Sequence, residues 1–332
     1  MKKKLDYAEL PILVKSFLEF MQTVKNRSDN TISEYYYDLK NLFRFLVIYK
    51  AGHDPLEIDL VTVDVSNIEI EFIRTIQTND FYSYLKYLDD LYKTKTKKNL
   101  KPTSRARKTA TIKSFFNYLT NNEKLLNVNP VIGLETPQLE KRIPKYLTLD
   151  EATSLLRSVK FNEQKFGERD LCILTLFLNC GLRLGELISI DIKDIKDDTI
   201  TVIGKGDKER MIHLNSACLS SISKYIAVRN KDDIVKDRNA LFISERGERI
   251  GRRMVEYIVK KYIELSGLDP KKYTPHKLRH TAATLMHKYG NVDIRTLQQV
   301  LGHETIATTQ IYTHIDSEDV KNAIDNNPLN EI

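Results

Sequence analysis

The sequence predicts a two-domain, mainly α protein. An all-helical domain occupies residues 1–135, a linker spans 136–146, and residues 147–332 form a mainly helical domain with a small antiparallel β-sheet. Three observations predict this. Apolar side chains recur at three- and four-residue spacing through most of the 332 residues. Two short alternating segments, Thr199-Ile-Thr-Val-Ile203 and Arg210-Met-Ile-His-Leu214, flank a glycine turn and read as a hairpin. Pro137 and Pro144 sit in a mixed-charge stretch with no helical stripe.

In order, the first helix covers residues 9–24, with Leu10, Leu13, Val14, Phe17, Leu18 and Met21 as its apolar stripe. Asn26 to Asn30 breaks it, and residues 31–49 carry a second stripe of Ile32, Tyr35, Leu39, Leu42, Phe43 and Leu46. Residues 51–65 read as a loop with an extended piece, followed by helical periodicity over 68–76 and 80–92. Pro102 and Thr103 open a helix that runs to about residue 120, with Ile112, Phe115, Phe116 and Leu119 inward. Thr148 and Glu151 form a capping box that starts the second domain. The apolar run 171–178 ends at Asn179-Cys180-Gly181, with Arg183 just beyond. After the hairpin, helices are expected at 252–266, 276–289, 293–301 and 305–312, with an amphipathic piece at 317–325.

Charge is unevenly spread. The net +7 divides into 24 Lys and Arg against 18 Asp and Glu up to residue 145, and 28 against 27 after it. A basic domain beside a nearly neutral one suits a polyanion held chiefly by the first. No acidic residue lies between Lys93 and Asn122, and Lys97, Lys98, Lys101, Arg105 and Lys108 are the candidate DNA contacts there, free for phosphates. No apolar run is long enough for a membrane span, and the basic Met1-Lys-Lys-Lys start has no apolar region behind it. A cytoplasmic protein without membrane association is therefore expected. Cys172, Cys180 and Cys218 have neither zinc nor disulfide spacing and read as reduced packing residues.

The remaining signal is a set of groups suited to phosphodiester chemistry. Without a metal, cleavage needs fixed cations and an acid. Arg183 and Arg279 can grip phosphate oxygens with paired donors, and Lys205 at the hairpin tip, with Lys208 as the alternative, can protonate a departing 5′ oxygen. His276 and Arg279, three residues apart, share one face at a helix start and so one target. His303 at a turn can donate to a phosphate oxygen, and Tyr312 can attack it. A zinc reading of His276 and His280 lacks the glutamate of H-E-x-x-H and a third ligand, so neither metal nor cofactor is expected.

These motifs are Cys180-Gly-Leu-Arg183-Leu-Gly-Glu-Leu, Gly204-Lys205-Gly-Asp-Lys-Glu-Arg210, Pro275-His276-Lys-Leu-Arg279-His-Thr-Ala-Ala-Thr284, Leu301-Gly-His303 and Thr308-Thr-Gln-Ile-Tyr312-Thr-His314. Over residues 147–325 the chain resembles the catalytic domain of the tyrosine recombinase (phage integrase) family, and as a whole it resembles the Xer branch. The resemblance implies a SAM-like helical core-binding domain that clamps DNA, and a catalytic domain of the DNA breaking-rejoining fold. It implies a 3′-phosphotyrosine intermediate and strand exchange through a Holliday junction, by a homotetramer on paired double-stranded sites of two half-sites each. A C-terminal helix carrying Val320, Ala323 and Ile324 would dock into a neighbouring protomer.

The expected role is chromosome dimer resolution at a dif-like site, with a second Xer recombinase and a DNA translocase such as FtsK as further partners. A mobile-element integrase shares the chemistry. A type IB topoisomerase would relax DNA without pairing sites, and a non-catalytic regulator would have lost one of the six residues. Residues 51–76 look longer than in a compact Xer protein. No arm-site domain is read before residue 9.

Overall fold

The computed structural model describes residues 5–136, 145–160, 166–204, 209–231, 234–290 and 292–302. The chain forms two compact units, Met1–Lys141 and Arg142–Ile332.

The first unit is helical. Helices α1 (Ile12–Thr23), α2 (Asp29–Lys50), α3 (Ile70–Arg74), α4 (Thr78–Thr96) and α5 (Pro102–Asn117) follow one another, and a single π turn, Tyr118–Asn122, closes α5. α2 packs against α1, α4 and α5. The stripes expected from spacing do face inward: Phe17, Phe43, Phe115 and Phe116 are fully buried, and so is Phe81 of α4. Their rings meet edge to face at 5.1–5.8 Å, the arrangement that aromatic quadrupoles favour. Truncating one such ring to alanine would cost about 3–5 kcal/mol.

Residues 51–65 contain no strand, contrary to the extended piece expected there. Asp54, Asp59 and Asp64 each turn the chain by accepting the backbone N–H two residues on, at 2.9, 3.0 and 2.9 Å. Such Asx turns offer the backbone a local partner in place of a ladder. Val65, Ile73 and Ile76 are buried in this unit's core, and the Arg44 and Lys50 side chains donate to the carbonyls of Val63 and Thr75. The long connection is thus part of the domain's packing.

In the second unit, α6 (Leu149–Lys160) begins at the expected capping box: Thr148 N–H donates to Glu151 at 2.8 Å, and Glu151 N–H donates to Thr148 at 3.2 Å. Helix α7 (Gly167–Cys180) is buried along most of its length, because α6, α9 (Ser216–Arg229) and α11 (Pro275–Gly290) all pack on it. Neither α9 nor the short α8 (Leu184–Ser189) was expected. The sheet has three antiparallel strands in the order β1 (Ile195–Lys196), β2 (Thr199–Ile203) and β3 (Glu209–His213), with Ile200 opposite Ile212. Its inner face, Ile200, Val202 and Ile212, closes the core. α10 (Arg252–Leu265) and α12 (Ile294–Leu301) complete the unit. The helix expected at 305–312 and the piece at 317–325 lie outside the described residues. Among the described residues, no helix is long and apolar enough to cross a membrane.

Candidate active site

Two glycines shape the place where the arginines meet. α7 ends at Gly181, whose left-handed φ of 59° lets its N–H bond back to the Phe177 carbonyl at 3.2 Å. A side chain there would also strike Leu301, since a Cβ would lie 2.9 Å from its Cδ2. α12 is started by Asp293, which accepts the N–H groups of Arg295 and Thr296 at 2.8 and 3.1 Å. Leu297 and Leu301 anchor this helix beside Ala283 of α11, and Gly302 ends it with a φ of 62°. Residue 302 is thereby set against the start of α8.

The expected clamp residues come together here. Arg183 stands at the N-cap of α8 and donates through Nη2 to the Gly302 carbonyl at 2.8 Å and through Nη1 to Glu186 at 2.7 Å. Arg279, on the first turn of α11 and buried, donates to the Gly181 carbonyl at 2.7 Å and the Leu301 carbonyl at 2.6 Å. Its guanidinium is 3.8 Å from Glu186. His276 shares that turn, with its ring edge-on to His280 at 4.6 Å. Its surface is open to solvent, yet nearby protein atoms partly desolvate the ring, and Arg279, Lys277 and Arg183 add positive charge. Together they hold His276 below its ordinary value of 6.5. Its neutral form can accept a proton at neutral pH. Lys205, His303 and Tyr312 lie outside the described residues.

Two participants escaped the sequence reading. Glu186, 3% exposed, is the hub: besides Arg183 it takes a bidentate pair from Arg210 at 2.6 and 2.9 Å and the backbone N–H of Arg183 at 2.7 Å. Burial pushes its carboxyl up, but hydrogen bonds from Arg210 and the Arg183 backbone more than offset this and leave it below the usual range. The spacing Arg183-Leu-Gly-Glu186, a carboxylate three residues into a helix, carried the signal. Arg210 was legible from alternation. It falls on the inward side of β3 with Ile212, where a cation needs a buried partner.

The basic stretch is less available than expected. Lys97, in a left-handed conformation at the end of α4, is exposed, as are Lys98 and Lys101. Arg105 is half-buried, 4.0 Å from Asp89. Lys108 is not free for phosphate: its ammonium donates to Asp38 at 2.7 Å, where Arg107 also binds at 2.5 Å. Asp38 is buried in the core, and its unpaired charge would be costly there, so it captures both cations. The cysteines are free and buried, with the Cys180 and Cys218 sulfurs 3.7 Å apart. Burial pushes the Cys172 thiol up to about 12.

Residues 145–319 match the model of the phage integrase family. A tyrosine recombinase XerC of Caldanaerobacter subterraneus subsp. tengcongensis is 47% identical over 99% of this chain and 91% of its own. Tyrosine recombinase XerD of Proteus mirabilis is 32% identical over 93% of this chain and 90% of its own. Among solved structures, XerH bound to a difH substrate before cleavage superposes with a TM-score of 0.64 at 21% identity, covering 98% of both chains, which shows a common fold. The chain belongs to the phage integrase family. Within it, this is a site-specific tyrosine recombinase of the XerC type, an enzyme that breaks and rejoins DNA.

Proposed function

We propose that Arg183 and Arg279 hold the scissile phosphate while the Tyr312 hydroxyl attacks phosphorus. The phenol gives up its proton with help from neutral His276, the bond from phosphorus to the 5′ oxygen breaks, and Lys205 protonates that oxygen. His303 donates to a non-bridging oxygen. The product is a 3′-phosphotyrosine, and because this bond retains the diester's free energy, a 5′ hydroxyl from the partner strand reverses the reaction without ATP. One observation carries this reading. Two arginines from different helices donate to the carbonyls of Leu301 and Gly302, immediately before His303 in the chain.

We also propose that residues 1–135 clamp double-stranded DNA against the catalytic domain at 147–332, joined by 136–146. Lys97, Lys98 and Lys101 would supply phosphate contacts, with Arg105 contributing partially. Four protomers would pair two sites, the C-terminal helix docking in trans, to resolve chromosome dimers at a dif-like site with a second recombinase and a translocase such as FtsK. The XerC name of a 47% identical relative supports this role.

A plasmid with two direct copies of a candidate site tests it. Resolution into two circles is expected, whereas relaxation of a plasmid lacking the site would favour a type IB topoisomerase.

A further inference from the structure

Arg210 is the best-held cation around Glu186, yet the chemistry proposed above leaves it unused. It grips both carboxylate oxygens, at 2.6 and 2.9 Å, whereas Arg183 reaches the carboxylate with one guanidinium nitrogen and its backbone N–H. The Arg210 side chain is 14% exposed, and its Nε is buried with no hydrogen-bond partner among the described residues. Its stem lies directly on Gly302, where an added Cβ would come within 3.0 Å of Cδ and 3.1 Å of Nη1. It therefore touches the centre of the arginine cluster and the turn that leads to His303.

We infer that Arg210 is a positioning residue for strand cleavage: it neutralises Glu186 and buttresses the Gly302 turn, so that Arg183 and Arg279 keep their charge for the phosphate. The inference rests on the catalytic reading above. A buried carboxylate left with Arg183 as its main partner would draw that guanidinium inward and cancel its field at the phosphate. With Arg210 present, three guanidiniums surround one carboxylate among the described residues, a surplus of two positive charges in that set. A phosphodiester carries one negative charge, and a second develops as the tyrosine oxygen adds, so the surplus matches the transition state better than the ground state. Arg210 also begins the inward face of β3 and so ties that strand to the arginine pair.

Single-turnover cleavage of a nicked duplex carrying the recombination site tests this with full-length protein. Arg210→Met is expected to slow adduct formation by about 30–100-fold with DNA affinity within about threefold, since the loss falls in the transition state. Adding Glu186→Gln to that variant is expected to recover about tenfold, because an amide no longer claims the charge of Arg183. A purely structural role predicts the opposite, a double variant no faster than Arg210→Met. That result, or cleavage by Arg210→Met within about threefold of the parent, overturns the inference. If Arg210→Met does not fold, Arg210→Lys decides: it keeps the charge without the fork and should cleave about tenfold more slowly at an unchanged Tm. An undiminished rate in that variant overturns the inference. Failure of the parent protein to form any adduct overturns the underlying catalytic reading instead, and the parent measurement separates the two.

Discussion

In each unit a buried carboxylate gathers more than one cation, Asp38 in the first and Glu186 in the second, and the two do opposite things with them. Asp38 takes two donors from Arg107, one from Lys108 and the hydroxyl of Thr111, and these bonds tie α2 to α5. The cations are spent on the carboxylate. Glu186 instead gathers Arg183 and Arg210, with Arg279 just beyond hydrogen-bonding distance, and Arg183 remains about one-third exposed. Carbonyls of Gly181, Leu301 and Gly302 fix the orientation of two guanidiniums without neutralising them. A cation held by backbone dipoles keeps its charge for a ligand, while one held by a carboxylate largely loses it.

Substitutions can break that contrast. The largest effect is expected at the Glu186 cluster: Arg183→Ala or Arg279→Ala should lower the single-turnover cleavage rate by about 10²–10³-fold, as for loss of a fixed donor to transition-state charge. At the other carboxylate, Asp38→Asn should cost about 1–3 kcal/mol of stability, seen as a Tm lower by several degrees, with cleavage at low temperature nearly unchanged. A tenfold loss of cleavage without loss of Tm would contradict the assignment. Charge reversal at Lys97, Lys98 or Lys101 should flatten the salt dependence of DNA binding, by about one unit of log–log slope for each phosphate no longer neutralised. Lys108→Glu should leave that slope unchanged and lower Tm instead.

The smallest effect concerns pH. Because His276 is held below 6.5 in the folded protein, the unfolded chain takes up the proton first as pH falls. Its contribution to stability is constant above that value and declines as pH drops below it toward the lower folded value. Melting curves between pH 7.5 and 5.5 should therefore fall less steeply for His276→Ala than for the parent protein.

How legible these features were in the sequence follows from the same physics. Stripes such as that of Val14, Phe17 and Leu18 on α1 and of Leu39, Phe43 and Leu46 on α2 show directly which side a helix buries, and Gly181 and Gly302 mark helix ends that need positive φ. α9 was missed because its serines blur the apolar period, although Asn215 caps it by accepting the Cys218 N–H at 3.0 Å. The sequence of residues 93–122 suggested an open basic surface because the neutralising acid, Asp38, lies on another helix. In the same way, the Arg183 and Arg279 motifs and the inward side of β3 were readable locally, but the shared contact of all three arginines with Glu186 depends on the packing of α8, β3 and α11.

The central claim is that this arginine cluster serves one tyrosine among seventeen. The most direct measurement traps the adduct on a nicked suicide duplex, digests it and locates the DNA-bearing peptide by mass spectrometry. Attachment through Tyr312, with no adduct from Tyr312→Phe, is the result expected. An adduct on any other residue, or one that persists in Tyr312→Phe, would contradict the account.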